Sequence, residues 1–167
     1  MKIKSTVGPL LAPLPVVMVS CGSRRESNIL TIAWTGIINS NPPMTYISVQ
    51  PKRYSHDIIE KRGEFVINLV PASLAKEMDS CGVRSGRDID KEKEAGLTLV
   101  DAEEIRTPGI KEVPLTLECK VLYKQDQVLE DIPEDIRERF YSRGSDNGDF
   151  HTAYIGQIVD AYIIKED

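Results

Sequence analysis

Six or seven apolar, β-rich runs recur along this chain, and they do not alternate strictly with crossover helices. Residues 14–21 (LPVVMVSC), 29–37 (ILTIAWTGI), 44–50 (MTYISVQ), 64–70 (EFVINLV), 113–127 (VPLTLECKVLYKQDQ) and 152–164 (TAYIGQIVDAYII) each read as strands, and 97–105 begins as another. A doubly wound parallel sheet needs a crossover helix between successive strands. Here several strands follow one another through turns alone. The pattern predicts a mainly β fold, an antiparallel barrel of six or seven strands with short inserted helices at its periphery. Along 113–127, Leu115, Leu117, Cys119 and Val121 alternate onto one face.

The punctuation supports this reading. SRRESN (23–28) suits a hairpin turn and INSNPP (38–43) a loop. Gly36 inside a strand marks a bulge or a close approach of backbone. Ser55 is placed to cap a short helix through Lys61, with Gly63 as its stop. Further helices are predicted over 73–82, over 90–96 with Asp90 as cap and Gly96 as stop, and over 133–144. No repeat, linker or low-complexity segment divides residues 1–167, so a single domain is expected.

Composition narrows the partners. The net charge is −5, which argues against nucleic acid, because affinity for its backbone comes from Lys and Arg. An anionic ligand then needs a local basic patch. Cys21, Cys81 and Cys119 are widely spaced and match no metal motif. They read as reduced thiols of a cytoplasmic protein. The run at 10–19 carries two prolines and no cleavage signal, and no run is long enough to span a bilayer. No G-x-G-x-x-G, P-loop, G-x-S-x-G or zinc spacing occurs.

One constellation stands out. Lys52, Arg53 and Ser55 form a basic turn that opens onto a helix N-terminus. Such a place suits a phosphate, with Arg53 as a bidentate fork. The alternative is an ordinary exposed turn with a serine cap. Trp34, the one tryptophan, either walls a ring or packs in the core. Asn28 either bonds a ring edge or fills a turn. His151, after the polar run SRGSDNGD, is either a mobile site residue or a loop histidine without a role. Ser85, Arg87 and Lys91 make a second basic cluster that either helps neutralise a phosphate or belongs to a capped surface helix.

NILTIAWTG (28–36), SVQPKRYSHDII (48–59), EFVINLV (64–70), SGRDIDKEKEAGLTL (85–99) and HTAYIGQIV (151–159) occur in an order and spacing that resemble the flavin reductase-like family, and most of all its flavoredoxin branch. The resemblance runs from about Pro13 to the C-terminus. It implies an FMN-binding split β-barrel and a homodimer with FMN near the subunit interface. Asn28, Thr31, Ala33, Trp34 and Thr35 would line the flavin ring. Arg53 and Ser55 would hold the phosphate, with backbone contacts near Ser48 and Val49. Lys91 would approach the flavin or its phosphate, and His151 would lie near the ring as the one catalytic candidate. No metal is implied. In one departure, Glu92 follows Lys91 where the family often carries an aromatic residue. Two functions follow from the resemblance: an NADH- or NADPH-dependent flavin reductase, or an electron carrier that exchanges electrons with a redox protein partner.

Overall fold

The computed structural model describes residues 14–141 and 150–164. In chain order the elements are β1 (Val17–Ser23), β2 (Glu26–Ile32), β3 (Thr35–Ser40), β4 (Pro43–Val49), α1 (Tyr54–Arg62), β5 (Glu64–Leu69) and α2 (Ala75–Val83). Then follow α3 (Lys91–Ala95), β6 (Leu99–Val100), β7 (Gly109–Ile110), β8 (Leu115–Asp126), α4 (Glu134–Phe140) and β9 (Thr152–Tyr162). Seven strands make one sheet in the order β2-β1-β5-β8-β9-β4-β3, antiparallel throughout, and β6 and β7 pair separately.

The sheet rolls into a barrel because of one corner. β2 and β3 are its opposite edges, yet only Ala33 and Trp34 join them. A two-residue link cannot cross an open seven-stranded sheet, so the edges have to meet. No ladder forms between β2 and β3, and the barrel is split along that seam. The amide of Ser48 donates to the Trp34 carbonyl at 3.0 Å, which ties the corner to β4.

The period-2 alternation of the strands sorts their side chains into two layers. Val17, Val19, Cys21, Ile47, Val49, Phe65, Ile67, Cys119 and Tyr154 fill the barrel. Met18, Ile29, Cys81, Leu97, Leu99 and Ile110 form a second cluster outside it, beneath α2, α3 and the small β6–β7 ribbon. β1 is therefore buried on both faces. Each fully buried aliphatic side chain of this kind contributes about 1.5–3 kcal/mol. Leu117 and Val121 pack against the barrel cluster, as the alternation of 113–127 predicts. The opposite face of β8 holds the fully buried Glu118, whose carboxylate accepts the amides of Glu103 and Glu104, each at 2.8 Å.

Several sequence expectations need correction. The run 29–37 is not one strand: β2 stops at Ile32 and β3 starts at Thr35. Apolar composition hid the corner, because both sides of it are β-rich. The 38–43 loop shrinks to Asn41–Pro42, with β3 running through Ser40 and β4 starting at Pro43. The 23–28 loop shrinks to Arg24–Arg25. Residues 97–105 supply only the two-residue β6. A 3₁₀ turn at Ala72–Leu74 precedes α2, which runs through Gly82 to Val83. Gly63 and Gly96 end α1 and α3 in the left-handed conformation, and Asp90 caps α3 by accepting from the Lys93 amide. Gly36 marks a close approach: a Cβ there would lie 3.1 Å from the Tyr46 ring. The C-terminal end of the helix predicted over 133–144 lies outside the described residues. Among the described residues no helix is long and apolar enough to cross a membrane.

Candidate functional site

A cleft of about 490 Å³ opens over the seam. Its floor is β2 and the Ala33–Trp34 corner. The end of β4 and the turn into α1 form one wall, and the end of α2 with the 84–90 segment forms the other. The volume lies within the range of small-ligand sites. Among the described residues five cations line it, Lys52, Arg53, Arg84, Arg87 and Lys91, and no carboxylate does. On a chain of net charge −5 this is a strong local inversion, and it suits an anionic ligand.

The turn at 50–53 is closed by the Arg53 amide donating to the Gln50 carbonyl at 3.0 Å. Arg53, in extended conformation, is the N-cap residue of α1 and makes no side-chain cap. Arg53, Tyr54 and Ser55 line the cleft, so the N-terminus of α1 lies in its wall without a side-chain cap. Ser55 does not cap the helix, contrary to the sequence expectation. It lies inside the first turn, fully buried, where its Oγ accepts from Asn28 Nδ2 at 2.6 Å. That bond fixes the orientation of the buried Asn28. The Asn28 carbonyl in turn accepts from the Cys21 thiol, and burial pushes the Cys21 thiol up to about 12.

Lys91 is buried at the first position of α3. Its Nζ donates to the carbonyls of Ile29 and Cys81, each at 2.7 Å. It therefore ties three elements together beneath the cleft. Burial holds its pKa below the ordinary 10.5, against the opposing influence of Cys81 and Cys21, and the nearby Arg53 adds to the lowering. Thr31 bonds α2 through its hydroxyl, which donates to the Met78 carbonyl. Trp34 is 46% exposed and lines the cleft, so it is not a core residue.

The structure gathers Asn28, Thr31, Ala33, Trp34, Ser48, Val49, Arg53, Ser55, Lys91 and His151 around this one cleft. Thr35 is the exception. It is buried beside the corner, and its hydroxyl donates to the Tyr46 carbonyl at 2.6 Å, away from the lining. His151 lies on the rim, with its amide donating to Gln127 Oε1 at 2.9 Å. It also borders a side depression of about 310 Å³ that shares Ser48 with the cleft. The polar run before His151 lies outside the described residues.

Sequence reasoning missed Tyr54, Gly82, Arg84 and Gly86 in the lining. The signal for Gly86 was present, a glycine between Ser85 and Arg87 in a polar connector. A Cβ on Gly86 would lie 2.0 Å from Asn28 Oδ1 and 3.1 Å from Tyr54 Cδ1. Among the described residues, no group of three or more His, Cys, Asp or Glu side chains is arranged to hold a metal.

The family model described as the flavin reductase like domain matches residues 11–167. This chain belongs to the flavin reductase-like family. Flavoredoxin of Desulfovibrio vulgaris (Miyazaki F) superposes with a TM-score of 0.77 at 27% identity, covering 98% of this chain and 76% of that one. Flavoredoxin from Methanosarcina acetivorans gives 0.75 at 26% identity, covering 98% and 75%. An uncharacterized protein of Pyrococcus abyssi is 28% identical over 95% of this chain and 78% of its own length. The split barrel is thus a flavin reductase-like fold.

Proposed function

We propose that the chain binds FMN in the seam cleft and works as a redox protein, with reduction by NADH or NADPH as its activity. The observation that carries the reading is the cleft itself, lined among the described residues by five cations and no carboxylate, with Lys52 and Arg53 at the N-terminus of α1 and Trp34 beside it. The residues fit the cofactor. Arg53 and the first amides of α1 would take the phosphate. Trp34 and the main chain of Ala33 would flank the ring system. When bound, FMN supplies the electron chemistry, while the protein sets its orientation, potential and access.

The chain's own groups divide the remaining work. Lys91 places a buried cation under the cleft floor, where it favours negative charge above it. Asn28, held by Ser55, presents its side-chain oxygen toward the 84–90 segment. His151 stands between the cleft and the side depression, where it would border both a bound flavin and a hydride donor approaching it. The likeness to two flavoredoxins favours a second reading, a flavoredoxin-type carrier that exchanges electrons with protein partners without nicotinamide turnover. The three buried free thiols suit a reducing compartment and support placement in the cytoplasm.

Purified protein is expected to take up FMN at micromolar concentration and to prefer it to riboflavin. Arg53→Ala should weaken FMN binding by about 1.5–3 kcal/mol and riboflavin binding much less, since only FMN carries the phosphate. Equal losses would assign Arg53 to the fold, and absence of uptake would overturn the reading. Anaerobic addition of NADH or NADPH then separates the two activities. Bleaching of the bound flavin supports the reductase. No bleaching by either nucleotide, with rapid reduction by dithionite, supports the carrier.

A further inference from the structure

The 84–90 segment crosses from the end of α2 to the start of α3 along one wall of the cleft. Arg87 is its middle. The sequence left Arg87 either beside a phosphate or on a capped surface helix, and the structure commits its guanidinium to the α1 wall. Nη1 donates to the Lys52 carbonyl at 3.0 Å, and Nη2 pairs with Asp57 Oδ2 at 3.2 Å. The guanidinium carbon stands 5.2 Å from the centre of the Tyr54 ring. One side chain thus grips the turn before α1, its first residue and its first helical turn. The planar fork of arginine suits such a three-part grip, and lysine cannot reproduce it.

The rest of the segment is fastened differently. Gly86 lies flat against Asn28 and Tyr54, with no room for a side chain. Ser85 closes a local turn by accepting the amides of Asp88 and Ile89 at its carbonyl. Arg84 pairs with Glu94 of α3 at 2.9 Å, which anchors the segment to its own side of the cleft. Arg87 is therefore the charged link that crosses from this segment to the α1 wall. The ion pair is partly exposed, with side chains 46% and 66% accessible, so it can open without unfolding the barrel.

We propose that Arg87 is a positioning residue that latches the 84–90 strap to the α1 wall, and so sets how fast a ligand leaves the cleft without touching it. The inference rests on the FMN reading for its ligand, but the latch itself belongs to the chain. A tight latch suits a retained flavin, and a loose one suits a flavin handed on.

The test compares Arg87→Ala, Arg87→Lys and Asp57→Asn with the unmodified chain. Stopped-flow dissociation of FMN and of riboflavin is measured for each, with amide hydrogen exchange of the apo proteins. Arg87→Ala should speed release of both ligands by about 5- to 30-fold, the range for losing a few modest contacts together. The two ligands should respond alike, because the latch does not contact the phosphate. Exchange should rise in 84–90 and in the first turn of α1, with the barrel strands unchanged. Arg87→Lys should recover only part of the effect, and Asp57→Asn added to Arg87→Ala should change little further. Selective loss of FMN over riboflavin would overturn the proposal by making Arg87 a phosphate ligand. Unchanged release rates and unchanged exchange would overturn it as well. If the chain takes up neither flavin, the function fails but exchange of 84–90 still decides whether the latch exists.

Discussion

Gly86→Ala isolates the steric demand of the cleft wall. Gly86 does not have a left-handed backbone, so alanine brings no conformational penalty of its own. The cost comes from the new methyl group, which would lie 2.0 Å from Asn28 Oδ1 and 2.7 Å from Asn28 Cγ. Either Asn28 or the 84–90 segment has to retreat by about 1 Å or more. Asn28 is buried and bonded to Ser55 at 2.6 Å. Rotating it leaves a buried amide without its partner, at about 1–3 kcal/mol. Lifting the segment instead sacrifices the Arg87 contacts to Lys52, Tyr54 and Asp57. Both routes deform the cleft, so flavin affinity should fall roughly 5- to 150-fold. Gly63→Ala is the matched control. It has φ 66° with nothing within 4 Å of the added carbon, so it should cost about 1–2 kcal/mol of stability through backbone strain and leave flavin affinity unchanged. Urea denaturation and flavin titration of both variants separate the two effects. A Gly86→Ala protein with unchanged flavin affinity would refute the argument.

Two further outcomes are expected. Lys91 has a folded pKa below its ordinary 10.5, so between those values the unfolded chain binds more protons and stability rises with pH. The stability difference between the wild type and Lys91→Met should therefore grow as pH climbs through the folded pKa toward 10.5. A difference that shrinks over that window would mean that the two carbonyl contacts outweigh burial. Exposed Ile37, Leu122 and Tyr123 leave apolar surface on β3 and β8, and light scattering should give the mass of a symmetric dimer. A single-chain mass with flavin bound would rule that out.

Much of the barrel was legible because strands buried on one or both faces announce themselves by alternation or by continuous apolar runs. The stops at Gly63 and Gly96 and the Asp90 cap were legible for a local reason, since each acts within one turn of its own helix. The Ala33–Trp34 corner was not, because its flanks have the composition of uninterrupted strand. The site residues were found as a set more easily than as roles. Ser55 was read as a cap and proved to be the anchor of Asn28, 27 residues away. Lys91 was read as reaching toward a ligand and proved to bind two carbonyls. Arg87 was left open between a phosphate cation and a capped surface helix, and it proved to hold the opposite wall. In each case the residue type was informative, but its partner lay on another element, and a linear pattern does not rank distant partners.

The seam has a consequence for how such a site tolerates sequence drift. Among the described residues β2 pairs on one side only, so its alternate peptide groups point away from β1, and one of them, the Ile29 carbonyl, already serves Lys91. Peptide groups are the same whatever side chain they carry. A surface that offers them to a ligand is inherited with the path of the chain and not with its residues. Three quarters of the side chains can then be exchanged, as the 27% identity at a TM-score of 0.77 illustrates, while that part of the surface keeps its chemical lettering. The rim differs in kind: Trp34, Arg53, Arg87 and His151 line it through their side chains, so what the cleft admits depends there on groups that a single substitution changes.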